Sequence, residues 1–311
     1  MRIAVFGAGG VGGYFGGRLA RAGEEVVFIA RGEHLRAMQA SGLRVDSLKG
    51  DFLVQPVQAT DDPGQVGPVE MVLVAVKAWQ VAEIAPGLAP LIGPDTGVIF
   101  LGNGVEAPAQ LSSTLGAEHV LGGLSRISTF IAGPGHIRHV GIEPFVAFGE
   151  LDGRPSQRVE RLRQAFERAG VNVAVPEDIQ AAMWDKFVFI AAISGVGAVA
   201  RAPAGVIRSV PETRRMLEGA LEEIARLAEA RQVRLPKEVV AKTMALIDGL
   251  SPAVIASMQR DIIEGRPSEL DSQNGAVVRM GLESGVATPT HTFIYQALLP
   301  QELKARRQIE F

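Results

Sequence analysis

The sequence predicts an α/β fold, with a sheet-containing N-terminal domain over residues 1–176 and an all-helical C-terminal domain over residues 177–311. Three observations predict it. A strand, a glycine-rich turn and a helix occupy the first two dozen residues. Apolar strands then alternate with helical segments as far as Val175, which is typical of a parallel sheet. After Pro176-Glu177-Asp178 the strand signals stop and helical segments follow.

The first element is a strand over Arg2 to Phe6, followed by Gly7-Ala8-Gly9-Gly10-Val11-Gly12 and a helical stretch. In this G-x-G-x-x-G spacing Gly7 allows a tight turn, Gly9 lets a pyrophosphate approach, and Gly12 lets the helix pack on the strand. The helix N-terminus offers free N–H groups and the positive end of its dipole to phosphates. The first domain is therefore predicted to be a Rossmann-type dinucleotide-binding domain.

The second strand, Glu25 to Ala30, ends at Arg31. At this place an acidic residue would bind the ribose 2′-hydroxyl of NAD, whereas a guanidinium pairs with the 2′-phosphate of NADP. Arg31 therefore favours NADP. The alternatives are a solvated arginine that closes a strand, and a weaker preference because of Glu33.

The rest of the first domain is predicted from apolar runs and turn residues. A helix is predicted over 34–41, and a hairpin turn is predicted at Ala132-Gly133-Pro134-Gly135. A second helix is predicted over 157–169. The further predicted strands are 43–48, 52–59, 69–76, 97–101 and 171–175.

Two polar residues follow predicted parallel strands. Lys77 comes after the strand over 69–76, and Asn103 comes after the strand over 97–101. Ligands of open α/β sheets bind beyond the carboxyl ends of the strands, so both residues are candidates for binding. The alternatives are a lysine that extends its head into solvent and an ordinary Asn-Gly turn.

Composition narrows the function classes. The net charge is −3 and there is no basic excess, so nothing in the sequence predicts nucleic-acid binding. The chain has no cysteine, which excludes disulfides, cysteine nucleophiles and thiolate metal sites. His136 and His139 are predicted to face opposite sides of a strand, so no metal site is expected. The longest apolar stretch, Phe187 to Ala200, is shorter than a membrane span, and a cytoplasmic protein is expected.

The second domain is predicted to be helical over 179–200, 211–231, 236–249, 251–265, 267–285 and 290–299, with prolines at or near the starts and breaks. The segments between 211 and 249 have apolar faces, which could serve either an intramolecular core or a partner. A monomer and a homodimer both remain open. The tail Lys304-Ala305-Arg306-Arg307 is expected to be solvated.

A dinucleotide domain followed by a helical domain indicates a dehydrogenase, and reduction of a ketone requires a proton donor near the resulting alkoxide. Lys186 stands at the head of a strongly apolar helix, where desolvation would make its ammonium a better acid. Its alternative is a local pair with Asp185. Glu269 lies in a predicted first helical turn, where a favourable interaction with the helix dipole is the simpler explanation.

Several motifs in this order resemble the ketopantoate reductase (2-dehydropantoate 2-reductase) family over nearly the whole chain. They are Gly7 to Gly12 with Arg31, Val76-Lys77-Ala78-Trp79-Gln80, Asn103-Gly104, Trp184-Asp185-Lys186, and Ser257-Met258-Gln259-Arg260-Asp261 with Glu269. The resemblance implies NADPH-dependent reduction of a 2-keto acid to a 2-hydroxy acid in the pantothenate branch toward coenzyme A. It also implies a helical second domain like the C-terminal domain of 6-phosphogluconate dehydrogenase.

The resemblance also implies roles for individual residues. Gly7, Ala8, Gly9, Gly10, Val11 and Gly12 would hold the pyrophosphate, with Arg31 on the 2′-phosphate and Lys77 along the cofactor. Asn103 would reach both cofactor and substrate. Lys186 would be the general acid, Ser257 would contact the substrate, and Glu269 would engage its hydroxyl end and the lysine.

Two substrate-binding positions depart from the family pattern. Ketopantoate-reducing members often carry asparagines four and eight residues after the lysine, where this chain has Ile190 and Ser194. Ile190 can donate no hydrogen bond, and losing such a donor changes substrate discrimination strongly. A reductase of another, more apolar 2-keto acid therefore remains open.

Two further alternatives remain. A dehydrogenase of a hydroxy acid or polyol phosphate would use arginines such as Arg201, Arg208 and Arg260. A redox sensor would bind NADPH without turnover, although such a protein is expected to lack the proton donor.

Overall fold

The structure is a computed structural model that describes all 311 residues, and the chain divides into two compact units. The first unit comprises Met1–Gly102 and Ala107–Ile179. The second comprises Asn103–Glu106 and Gln180–Phe311. The four residues from Asn103 to Glu106 thus leave the first unit and belong to the helical one.

The first unit contains one ten-stranded sheet. Its strands are β1 (Arg2–Phe6), β2 (Glu25–Ile29), β3 (Leu43–Ser47), β4 (Phe52–Val54), β5 (Gln58–Thr60), β6 (Met71–Val74), β7 (Gly97–Phe100), β8 (Val120–Gly133), β9 (His136–Glu150) and β10 (Asn172–Ala174).

The parallel part of the sheet has the order β5-β2-β1-β6-β7-β8. This is the strand order of a dinucleotide-binding domain, in which the chain starts in the middle and winds outward in both directions. All four residues of β6 and of β7 are buried, as expected for parallel strands that are covered on both faces. The predicted Rossmann-type domain is confirmed.

Antiparallel strands extend the sheet beyond β8. β8 and β9 form a long antiparallel hairpin, whose turn at Pro134-Gly135 lies where the sequence predicts it. β9 also pairs in parallel with β3 and β10, and β3 pairs antiparallel with β4. The sheet is therefore mixed, with a parallel centre that carries the glycine-rich turn.

The helices of the first unit pack on this sheet and are supplemented by short 3₁₀ turns. They are α1 (Gly10–Arg21), α2 (Gly32–Ser41), α3 (Val81–Ile84), α4 (Ala107–Leu115) and α5 (Gln157–Arg168). Phe15 of α1 and Phe166 of α5 meet edge to face with ring centroids 6.0 Å apart in the main core cluster. The sequence does not predict α3 or α4.

The predicted single strand over residues 52–59 is wrong. β4 ends at Val54 and β5 begins at Gln58. β4 pairs with β3 and β5 pairs with β2, so the two strands lie at opposite ends of the strand order. Pro56 lies between them, and proline has no N–H group for a ladder hydrogen bond.

The all-helical second domain is also confirmed. Its helices are α6 (Ile179–Ala200), α7 (Ala204–Ser209), α8 (Pro211–Ala230), α9 (Val239–Gly249), α10 (Ser257–Ile263), α11 (Ala276–Ser284) and α12 (Pro289–Ala305). A π-helical turn, Asp271–Gly275, leads into α11. α7 is not predicted, the segment 251–265 is helical only from Ser257, and α12 continues through Pro300.

Helix α6 is the central element of the helical core. Eight consecutive residues, from Ala191 to Ala198, are buried. The helix is long and apolar enough to cross a bilayer, but 67% of its most apolar window is buried inside the protein. Burial of this kind is typical of a core helix.

The predicted solvated tail is wrong for Arg306. Its Nε donates to Glu302 Oε1 at 2.6 Å, and its Nη2 donates to the Ser268 carbonyl at 3.1 Å. Glu302 is buried and also accepts from the Ser268 N–H at 3.1 Å. The end of α12 is therefore tied to the segment that precedes Glu269.

Candidate active site

The glycine-rich turn needs glycine at both of its ends. Gly7 has φ +96°, a left-handed conformation, and a Cβ there would lie 2.9 Å from the Ala75 carbonyl oxygen. A Cβ on Gly12 would collide with the Gly7 carbonyl oxygen and lie 2.9 Å from Val5 Cγ1. The first glycine thus makes the turn, and the last allows α1 to lie directly on β1.

Gly9 differs from these two glycines, because nothing lies within 4 Å of the place that its Cβ would occupy. It is the N-cap of α1, and no side chain caps the helix or places an acid in its first turn. The N–H groups of the first turn have no acceptor within a helix. The loop therefore combines open space, amide donors and the positive end of a helix dipole, which suits a pyrophosphate.

The neighbouring loop positions are closely packed. Ala8 is 3% exposed, and a Cβ on Gly10 would lie 2.9 Å from atoms of Thr129 on β8. Val11 is half-buried against the core of the first unit. The packing restricts the open side of the loop to the surroundings of Gly9.

Arg31 lies two residues after the end of β2 and is the N-cap of α2. Its side chain is exposed and takes part in no hydrogen bond or ion pair within the chain. Glu33, in the first turn of the same helix, is also exposed. The guanidinium is thus available to an anion near the end of the second strand.

His34, which follows Glu33 in the first turn of α2, makes a contact that the sequence does not predict. Its Nε2 lies 2.9 Å from the Ala8 carbonyl oxygen, and the Gly135 N–H donates to its Nδ1 at 3.1 Å. One ring therefore contacts both the glycine-rich turn and the turn between β8 and β9. No local pattern marks this residue, since its partners are distant in sequence.

Lys77 follows β6 by three residues and precedes a 3₁₀ turn over Ala78–Gln80. Its side chain is exposed, and its backbone N–H donates to Gln80 Oε1 at 3.2 Å. β6 pairs in parallel with β1, so Lys77 and the glycine-rich turn follow adjacent strands at the same edge of the sheet. This is the edge where cofactors bind in such sheets.

In the second unit, Glu269 is the centre of a polar cluster. The residue is 3% exposed, and its Oε2 accepts from Asn103 Nδ2 at 2.9 Å and from Gln273 Nε2 at 3.2 Å. Gln273 lies in the π-helical turn and is fully buried. Two amide donors on one oxygen fix the orientation of the carboxyl group. The sequence did not single out Gln273.

Lys186, Ile190 and Ser194 are spaced four residues apart on α6 and so share one helix face. Lys186 and Ile190 are half-buried. Ser194 is 0% exposed, and its Oγ has no hydrogen-bond partner. Along this face the ammonium is thus followed by an apolar side chain and then by a hydroxyl enclosed in the core.

Ser257 is the first residue of α10 and is exposed. The next two residues, Met258 and Gln259, are buried, and Gln259 Nε2 donates to the Ala202 carbonyl at 2.9 Å. These contacts attach the start of α10 to the end of α6. They fix the position from which the Ser257 hydroxyl projects.

The arginines considered for a phosphorylated substrate have other positions. Arg208 Nη1 donates to the carbonyls of Ile247 at 2.8 Å and Leu250 at 2.7 Å, so its charge serves the end of α9. Arg201 and Arg260 are exposed. Nothing in these contacts assembles a phosphate clamp.

The two histidines of β9 have separate partners. His136 pairs with Asp46 at 2.9 Å. His139 is buried, with Nδ1 at 2.8 Å from Ser47 Oγ and Nε2 at 2.9 Å from the Ile142 carbonyl. The structure contains no group of three or more histidine, aspartate or glutamate side chains arranged for a metal.

Comparison with protein families gives two matches in tandem. A model described as ketopantoate reductase PanE/ApbA matches residues 3–153. A model described as ketopantoate reductase PanE/ApbA C terminal matches residues 178–302.

Relatives with similar sequences match along almost the whole chain. A 2-dehydropantoate 2-reductase of Archaeoglobus fulgidus is 32% identical over 92% of this chain and 92% of its own. The uncharacterized oxidoreductase YkpB of Bacillus subtilis is 28% identical over 96% of this chain and 98% of its own.

Solved structures agree with these matches. A PanE/ApbA family ketopantoate reductase from Ralstonia eutropha superimposes with a TM-score of 0.90 at 31% identity, covering 98% of this chain and 100% of that one. D-mandelate dehydrogenase with NADH superimposes with a TM-score of 0.86 at 24% identity, over 98% and 100% of the two chains. At that identity the second likeness concerns the fold alone.

Proposed function

The chain belongs to the ketopantoate reductase family of oxidoreductases, and from this premise we propose that it reduces a 2-keto acid to the 2-hydroxy acid with NADPH. Several relatives are named 2-dehydropantoate 2-reductase, and a solved structure with the same fold, that of D-mandelate dehydrogenase, contains NADH. The proposed substrate is 2-dehydropantoate and the product is pantoate, as the names of several relatives indicate. This reaction would place the protein in pantothenate and coenzyme A biosynthesis, in the cytoplasm.

The observation that carries the proposal is the glycine-rich turn. The space beside Gly9 is open and adjoins the N–H groups at the start of α1. At Gly7 and Gly12 the close backbone contacts leave no room for a Cβ. An unpaired guanidinium, Arg31, follows the next strand. An amide cradle for a pyrophosphate and a cation for a 2′-phosphate are the features that NADPH requires.

In this proposal the domain over residues 1–176 binds the nucleotide and the domain over residues 177–311 supplies the acid. Lys77 would lie along the cofactor. A nicotinamide held there would supply a hydride for the keto carbon, and negative charge would then develop on the substrate oxygen. The Lys186 ammonium stabilises that charge and donates the proton, a contribution of about 10²–10⁴-fold.

Glu269 would orient the substrate. Its Oε2 is held by Asn103 and Gln273, so the carboxylate presents a fixed acceptor to the substrate hydroxyl and to Lys186. Asn103 would contribute to both cofactor and substrate binding, and Ser257 would contact the substrate at the start of α10. In this arrangement Glu269, Asn103 and Ser257 together position the keto acid.

Ile190 supports a second candidate within the same reaction class. It stands one turn after Lys186 and is half-buried with an apolar side chain, while Ser194 is enclosed in the core. A substrate group next to Lys186 would meet hydrocarbon at Ile190. A 2-keto acid with an apolar side chain fits this surface better than one that needs two hydrogen-bond donors there. A sensor without turnover is disfavoured, because Lys186 and Glu269 are both present.

Replacement of the proposed proton donor tests this function. We expect Lys186→Ala to lower kcat about 10²–10⁴-fold and to leave the Kd for NADPH within a few-fold of wild type. Stopped-flow single turnovers, followed by NADPH absorbance, separate the chemical step from product release.

The matched control is Lys237→Ala, which removes an exposed lysine of the same unit that takes part in no ion pair. This control should retain wild-type turnover. A Lys186→Ala enzyme whose single-turnover rate stays close to wild type would exclude Lys186 as the acid.

A further inference from the structure

The side chain of His34 joins two turns of the first unit. Its Nε2 lies 2.9 Å from the carbonyl oxygen of Ala8, inside the glycine-rich turn. Its Nδ1 lies 3.1 Å from the backbone nitrogen of Gly135, in the turn between β8 and β9. Helix α2 thereby contacts both turns through a single ring.

These two bonds fix the state of the ring. A backbone N–H can only donate, so Nδ1 must offer a lone pair to Gly135. A carbonyl can only accept, so Nε2 must carry the proton that it donates to Ala8. The ring is therefore the neutral Nε2–H tautomer, and a proton added at Nδ1 would oppose the Gly135 N–H.

The hydrogen bond to the Ala8 carbonyl fixes the orientation of a whole peptide unit. A peptide unit is planar and trans, so its carbonyl and its N–H point in opposite directions. The Ala8 carbonyl and the Gly9 N–H belong to the same peptide unit. A hydrogen bond that holds the carbonyl therefore also sets the direction of the Gly9 amide, at the one loop position that faces open space.

We propose that His34 is a positioning residue for cofactor binding, which orients the Ala8–Gly9 peptide for the pyrophosphate and does so only as a neutral ring. The inference rests on the dinucleotide part of the proposed function and is independent of the keto acid. Loss of the bond frees the peptide to rotate, so a bound pyrophosphate would have to order it again at a cost in affinity.

His34 is the titratable side chain that contacts the glycine-rich turn. Burial lowers the pKa of its ring, and the bond to Ala8 opposes this shift in part. The glycine-rich turn and the neighbouring strand β5 carry no ionisable side chain. Beside the hairpin turn, His136 is paired with Asp46. On its own helix the charged groups are Glu33 and Arg36, in addition to Arg31 at the N-cap.

The test compares dinucleotide affinity in His34→Ala and His34→Gln. A glutamine amide can donate to Ala8 and accept from Gly135 but does not titrate. At pH 7.5 we expect about tenfold weaker NADPH binding for H34A, the size of one lost hydrogen bond, and binding within threefold of wild type for H34Q. Kd values come from the fluorescence of bound NADPH, with NADH measured in parallel.

The pH profile provides a readout that a purely structural role would not change. As the pH is lowered from 7.5 to 5.5, wild-type affinity should fall relative to H34Q, because protonation of the ring breaks the bond to Gly135. The ratio of the two Kd values cancels the titration of the ligand itself. His119→Gln is the matched control, since His119 Nδ1 also contacts a backbone carbonyl, that of Thr96, just before β8.

Each result has one meaning. Tenfold weakening in H34A, rescue in H34Q and a pH-dependent ratio support the proposal. Equal affinity of H34A and wild type would overturn it, as would a constant ratio of wild type to H34Q across the pH range. If wild type binds neither NADPH nor NADH, both this inference and the proposed function fail. If it binds without turning over a keto acid, only the proposed reaction fails.

Discussion

Arg31 is the residue that we propose selects NADPH over NADH. Its guanidinium is exposed and unpaired at the N-cap of α2. Removing a charge-assisted hydrogen bond to a 2′-phosphate costs about 1.5–3 kcal/mol, which corresponds to about 10–100-fold in Kd. We therefore expect Arg31→Ala to weaken NADPH binding by this factor and to leave NADH binding nearly unchanged.

The control for this change is Arg36→Ala, which removes another exposed arginine of the same helix. It should affect neither dinucleotide. Equal losses of NADPH and NADH affinity in Arg31→Ala would show that Arg31 supports the fold of the turn and does not select NADP.

Individual site residues could be predicted from the sequence where the local chain geometry itself requires them. Gly7 and Gly12 are required by the turn itself, and the structure shows the close contacts that exclude a Cβ at both positions. His34 and Gln273 could not be predicted, because their partners come from the folded chain. The Gly135 N–H lies 101 residues from His34, and no local sequence pattern near either residue predicts the contact.

At the scale of the element, the glycine-rich turn and the start of α1 can be tested with two alanine substitutions, at Gly12 and at Gly9. A Cβ on Gly12 would meet Val5 and Ala75 at 2.9 Å and collide with Gly7, so Gly12→Ala should destabilise the first unit by about 1–3 kcal/mol or more. A Cβ on Gly9 meets nothing, and its backbone has φ −69°, so Gly9→Ala should fold normally.

Gly9→Ala should be distinguished from Gly12→Ala by its effect on NADPH binding without a loss of stability. Gly9→Ala should weaken NADPH binding, because its methyl group occupies the space left for the pyrophosphate, while urea unfolding stays like that of wild type. If Gly9→Ala bound NADPH with wild-type affinity, the pyrophosphate would have to lie elsewhere.

The boundaries of elements were predicted less well than their types. The parallel strands and α6 follow from apolar runs that the structure buries. The break between β4 and β5 was missed because apolar residues such as Val54 and Val57 occur on both sides of Pro56. Only the pairing with β3 or β2 separates the two strands. The π-helical turn after Glu269 was missed as well, since its sequence continues a helical pattern.

At the scale of the whole molecule, each unit has its own buried core. Each unit also contains a buried ionisable side chain with hydrogen-bond partners. In the first unit, burial would raise the pKa of Glu24, but the Met1 ammonium and Arg168 outweigh it and lower the pKa. In the second unit, His291 accepts from Asn274 Nδ2 at 2.9 Å and donates from Nε2 to the Ala220 carbonyl at 3.1 Å.

Because His291 is buried, we expect the free energy of unfolding to fall in mild acid. Burial lowers the pKa of its fully enclosed ring, although the charge of Glu223 opposes this. Below about pH 6.5 the unfolded chain therefore binds a proton that the folded chain resists. The contribution is present above pH 6.5 and declines as the pH falls, by at most about 1.4 kcal/mol per pH unit.

Urea unfolding of wild type and His291→Gln between pH 7.5 and 5.5 measures this slope. The variant should start less stable and lose less stability on acidification, since its side chain does not titrate. A wild-type slope that equals the slope of the variant would mean that His291 is not held neutral.

The reaction itself is tested most directly by NADPH oxidation in the purified protein with 2-dehydropantoate and a panel of branched and straight 2-keto acids. We predict saturable turnover of at least one 2-keto acid, faster with NADPH than with NADH. Preference for 2-dehydropantoate would show that Ile190 and Ser194 are tolerated, and preference for a more apolar keto acid would identify Ile190 as part of the substrate wall. Tight NADPH binding with no oxidation by any 2-keto acid would contradict the proposed reaction.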